Sequence, residues 1–184
     1  QSSATNTVST AIGRETLASG ITSTAMGYQT SATNTASTAM GNSSTASGVT
    51  STAIGNNSTA SGETSIAMGF ETEATNSASI AMGHQTTSTG GASTAMGFIT
   101  TASGFGSTSI GYKTTASGYG STSIGYQTTA SGNSSTAIGK NTIASDVGSL
   151  VIGQYNLSGS AVTNSATEAN YATTAFVIGN GTAS

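Results

Sequence analysis

The chain contains no cysteine, no proline and no tryptophan, and only 5% of its 184 residues are charged. Without cysteine there are no disulfides and no thiolate metal ligands, which fits an extracellular bacterial protein held by hydrogen bonds and equally fits the cytosol. Three basic residues (Arg14, Lys113, Lys140) and a formal net charge of −3 give no chain-wide field for steering nucleic acid or an anionic membrane. No apolar run approaches the roughly 20 residues that a membrane helix needs. No basic segment followed by an apolar one marks a secretion leader. The single histidine, His84, has no second His or Cys to complete a metal site and reads as a solvated corner residue. What remains is Ser, Thr, Ala, Gly and Asn, a bias that would ordinarily spell disorder.

Periodicity argues otherwise. Glycine recurs every fourteen residues from Gly13 to Gly153, eleven times without a slip, and each copy closes a pentapeptide such as Ser37-Thr38-Ala39-Met40-Gly41. A disordered linker has no reason to keep eleven glycines in phase; a solenoid of stacked identical units does. With that glycine as position 14, position 10 is always Ser, position 12 small, position 13 only Met or Ile, and position 5 Ala except at Ser88. Position 7 is Gly, Asn or Asp throughout, for example Gly20, Asn34 and Asp146. These residues tolerate positive φ, so the pattern predicts left-handed turns at positions 7 and 14, seven residues apart. Between turns, side-chain size alternates with period two, which marks β-strands. The density of Gly, Ser and Thr and the missing 3.6-residue period exclude helix. The predicted fold is an all-β parallel β-solenoid of fourteen-residue coils, two short strands per coil, over residues 1–153.

Strand parity decides the next level. If Ser at 10 and Ala at 12 point inward, they face Thr at 3 and Ala at 5, filling a narrow interior with small groups. Positions 11 and 13 then face outward. The resulting stripe is Ile12, Met26, Met40, Ile54, Met68, Met82, Met96, Ile110, Ile124, Ile138 and Ile152. So large an apolar patch needs a cover, most simply the same stripe on sister chains around a symmetry axis, and these residues are the candidate oligomer interface. The opposite parity would put Met and Ile inside and leave a self-sufficient monomer.

The pentads Ser51–Gly55 and Ser135–Gly139, each followed by x-x-(Ser/Thr)-x-Ala-x-Gly as in Tyr126–Gly132, resemble the head repeats of the YadA-type trimeric autotransporter adhesins. That resemblance covers residues 1–153 and implies a left-handed β-roll, a homotrimer, and display on a bacterial surface or secreted fibre through a stalk and anchor. The chain departs from the family in carrying Thr where Val is frequent at position 11. Neither coiled-coil heptads nor an anchor is legible, so the expectation is a head segment. Similar repeats occur in tail-fibre-like proteins ending in a self-cleaving trimerisation chaperone, and Phe176–Thr182 is similar to the stretch before such a domain.

After Gly153 the next matching glycine is Gly179, so residues 154–184 read as an atypical terminal coil with an insertion near 156–173, a cap over an open sheet edge. No catalytic constellation is visible, and no cofactor is implied. Glu71 and Glu73, with Glu63 half a coil away, could form a weak acidic patch, but the ligand count is poor for a cation. Phe98, Tyr112 and Tyr126 follow one turn, and Phe105 and Tyr119 the other. They are either rigidifying ladders or an exposed aromatic strip that grips glycans or matrix proteins. Positions 4 and 6 repeat Thr-x-Ser or Thr-x-Thr, which solubilises an uncharged face or, in the alternative reading, binds ice. The functional expectation is a non-enzymatic adhesion or fibre module, with a passive spacer as the other alternative.

Overall fold

The computed structural model describes residues 1–156 and the backbone of the strand Phe176–Asn180. The fold is the parallel β-solenoid that the period predicts. Two compact units, Gln1–Ala92 and Ser93–Ser184, divide it. In each, every coil supplies one five-residue strand at positions 11 to 1 and one two-residue strand at positions 4 and 5. The first unit runs from Ser3–Ala4 to Thr87–Ser88, with Thr10–Arg14 the first of its longer strands. The second begins at Thr94–Phe98. Within a unit, equivalent residues of successive coils pair in parallel, as in Met26↔Met40 and Gly27↔Gly41. Phe176–Asn180 pairs in parallel with Leu150–Gln154, placing Gly179 beside Gly153. The expected insertion itself lies outside the described residues.

Ser and Ala do point inward. Position 10 (Ser23, Ser51, Ser121), position 12 (Ala25, Ala53, Ala137), position 3 (Thr30, Thr100, Thr128) and position 5 (Ala18, Ala74, Ala130) are buried. In the first unit's coils Ser23, Ser37, Ser51, Ser65 and Ser79 have a second task besides fitting, whereas Ser107 and Ser121 have no such bond. Their hydroxyls donate back to the position 7 carbonyl, Ser23 to Gly20 at 2.7 Å and Ser37 to Asn34 at 2.7 Å, tying off the turn. With an interior of methyls and hydroxyls, apolar burial per coil is small. Order therefore rests heavily on the backbone ladder between coils.

The turn assignment needs correction. Position 14 does adopt positive φ, from 116° to 135°, but position 7 does not. The left-handed residues are instead at positions 2 and 9, still seven apart: Glu15, Gln29 and Gln127 in one column, Val8, Thr22 and Thr50 in the other. From the second coil on, this twist accompanies a change of backbone partner. Along the strands an N–H donates to the following coil, as Ser31 does to Ser44 at 2.9 Å. At positions 2 and 9 the N–H reverses and donates to the preceding coil, Gln29 to Arg14 at 2.9 Å and Thr22 to Thr7 at 3.0 Å. The left-handed twist turns that group around, whatever the side chain.

Position 7 is small for a different reason. A Cβ at Gly48 would lie 2.0 Å from the carbonyl oxygen of Gly62 one coil on. Its N–H instead donates to Ala60 at 3.3 Å. Asparagine solves the same corner with its side chain: Asn34 Nδ2 donates to the Ser47 carbonyl at 3.0 Å and Oδ1 accepts from Thr35 N–H at 2.9 Å.

Candidate functional site

The outward sheet faces carry the position 13 column. In the first unit Met26, Met40, Ile54, Met68 and Met82 stand half-buried, flanked at position 11 by Thr24, Thr38, Thr52, Ile66 and Ile80, while Ile12 is 54% exposed. In the second unit Met96, Ile110, Ile124 and Ile138 repeat this, and Ile152 is exposed. Each side chain leans on its neighbours above and below in register and shows its remaining surface to the outside. The face thus pairs an apolar Met/Ile column with a neighbouring column that is mostly threonine.

The aromatic residues form two ladders at different turns of the second unit. Phe98, Tyr112 and Tyr126 stack with centroids 5.3 and 4.8 Å apart and interplanar angles of 4° and 7°. Phe105 and Tyr119 stack at 5.5 Å and 11°. In-register pairing imposes this near-parallel arrangement. Facing rings cover one another along each ladder, yet Phe105 and Tyr119 remain 56% and 60% exposed. In the first unit Phe70 stacks on His84 at 4.9 Å, which gives the lone histidine a packing role.

Polar groups are arranged in short pairings and not as a reaction centre. Glu71 Oε2 accepts from Gln85 Nε2 at 2.7 Å, and Glu15 Oε2 from Gln29 Nε2 at 2.9 Å. Glu71 and Glu73 line one open hollow together with Asn57, Thr59 and Thr72, whereas Glu63 sits at the other turn. Among the described residues no three His, Cys, Asp or Glu gather as a metal site. The position 4 hydroxyls stand in register as half-buried ranks, Thr45 beside Thr59 and Thr101, Thr115 and Thr129 in line.

Two features escaped the sequence reading. Ser109 and Thr114 share a buried hydrogen bond of 2.7 Å, and Ser123 and Thr128 one of 2.6 Å. The exchange of Ala for Ser at position 12 was their only signal. The second is the seating of the lysines: Lys113 Nζ lies 5.4 Å from the Tyr112 ring centroid, and Lys140 Nζ lies 5.2 Å from that of Tyr155.

Comparison with known families places this geometry. The model of the YadA head domain repeat, which spans two copies of the unit, matches five times, at residues 18–44, 46–72, 74–98, 102–128 and 130–156. Each match spans about two coils, so the family's double repeat is the structural coil pair. No curated protein matches the chain. With most of its length covered by those five matches and its coils stacked as parallel β-solenoid turns, the chain belongs to the YadA head domain repeat family of adhesins.

Proposed function

We propose that this chain is the head segment of a surface-displayed, homotrimeric fibre and adheres to host or environmental surfaces through its outer corners. The observation that carries the reading is the outward Met/Ile column. Its groups are half-buried within one chain, and covering what remains is worth about 1 kcal/mol for each side chain. Summed over coils in register, that favours association of identical faces, and family membership supports three copies around one axis. With the sheet face engaged, the turns and their aromatic ladders are the surfaces left for a ligand. The work is geometric: the solenoid holds a repeated surface stiffly in place, and no bond is made or broken.

Sedimentation equilibrium of the purified chain tests the assembly. The expected mass is that of three chains down to submicromolar concentration; a well-folded single chain at that dilution overturns the reading. Adhesion is then tested on an array of glycans and matrix proteins, where silence on every spot leaves only a spacer.

A further inference from the structure

Cationic groups are scarce in this chain, yet two of the three share one turn of the second unit. Lys113 follows Tyr112 at position 2, and Lys140 occupies position 1 two coils later; both are exposed. Each ammonium is seated against a ring. Lys113 Nζ is 5.4 Å from the Tyr112 centroid, and Lys140 Nζ lies 6.0 Å from Tyr126 and 5.2 Å from Tyr155. Such cation–π contacts hold a long, flexible side chain along the corner and leave its outer side open.

No described carboxylate stands at their turn. Among the described residues of this unit the sole carboxylate is Asp146, which is buried at the other turn. The ion pair of Arg14 with Glu15 belongs to the first unit. The same turn of the first unit also carries Glu71, bonded to Gln85. Among the described residues, positive charge without a carboxylate is therefore confined to this turn of the second unit, a concentration that the chain-wide count of −3 hides.

Spacing gives the partner its shape. Strand separation is about 4.8 Å, so the two lysines stand roughly 10 Å apart along the stack. That is close to the length of a disaccharide in an extended polysaccharide. Gln127, exposed one coil after Lys113, provides an amide between them that can meet sugar hydroxyls. The edges of the stacked rings Tyr112 and Tyr126 form the floor.

We propose that this corner binds an extended anionic polysaccharide, one that carries a carboxylate or sulfate on every second sugar and lies along the stack. The proposal rests on the adhesive reading above and gives it a ligand class. Each exposed charge contact is weak and screened by salt, so binding needs a polymer that engages several contacts together.

The test uses the intact chain immobilised for surface plasmon resonance, with heparin, hyaluronate, neutral dextran and poly-glutamate as probes. Heparin and hyaluronate are expected to bind at low salt and to be released by 0.5 M salt, while dextran does not bind. Lys113→Gln with Lys140→Gln should lower affinity at least tenfold, and Arg14→Gln should leave it unchanged; circular dichroism checks that all stay folded. Equal binding by the double variant, or binding of poly-glutamate as tight as that of the polysaccharides, overturns the proposal. Adhesion to matrix proteins or neutral glycans alone overturns it while the adhesive reading stands. If no surface is bound at all, both fall.

Discussion

Replacing Ser123 by alanine isolates one buried hydrogen bond inside a coil. Ser123 Oγ and Thr128 Oγ1 are 2.6 Å apart, both residues are fully buried, and either can donate. Removing the serine hydroxyl leaves Thr128 Oγ1 without that partner, at a cost of about 1–3 kcal/mol for an orphaned buried hydroxyl. The cavity left is a single oxygen, so packing adds little. The reverse case is built into the sequence. Thr30 and Thr142 Oγ1 have no partner, and the residues five positions earlier are Ala25 and Ala137. Ala137→Ser should therefore supply the missing partner and stabilise its coil by about 1 kcal/mol. Because solenoid coils open semi-independently, amide hydrogen exchange over residues 122–130 is a sharper readout than a global melt. Ser123→Ala should speed exchange there, and adding Thr128→Val should recover part of the loss. If the single and double variants exchange alike, the hydrogen bond contributes nothing and the reasoning is wrong.

Other substitutions probe the corners and the outer face. Gly55→Ala places a Cβ 1.9 Å from the Gly69 carbonyl oxygen at a φ of 134°, and should destabilise by more than about 4 kcal/mol in urea titration, with local loss of strand signal. Asn34→Ala removes two side-chain bonds and should cost about 1–2 kcal/mol by the same titration; Asn34→Gly should cost less, because glycine at this position sends its own N–H to the next coil. Ile99→Gly relieves a β-branched residue at a φ of 53° and should be neutral to about 1 kcal/mol stabilising, whereas Ile99→Val, still branched, should bring no gain in thermal melts. Met68→Asp with Met82→Asp should leave the coil folded by circular dichroism and shift sedimentation toward single chains, since both side chains project from the outer face.

How much of this was legible in sequence depended on which interactions are local. Strand parity could be read because size alternates residue by residue, and the interior is filled by Ser, Ala and Thr, with Val151 in the last described coil. The closing glycine could be read because no other residue fits both its φ and the neighbouring carbonyl. The left-handed columns could not. Val8, Glu15, Thr50, Ile99 and Lys113 share that conformation without sharing chemistry, and where an earlier coil is in place it goes with a bond to that coil, as from Thr50 to Thr35 and from Lys113 to Phe98. The Gly/Asn/Asp column misled for the complementary reason: its smallness answers to the next coil's backbone, although it looks like a torsional preference. Of the outer surface, the sequence showed which residues recur. It did not show that stacking would turn the aromatic faces toward one another, nor that two lysines would lean on those ladders.

Every coil presents its neighbours with nearly the same small inner groups and the same backbone pairing. In-frame duplication or loss of one whole repeat would thus leave each surviving junction chemically unchanged, with no core to refit. Length in this kind of protein can drift by recombination while the fold stays indifferent, so the fold itself prescribes no number of coils.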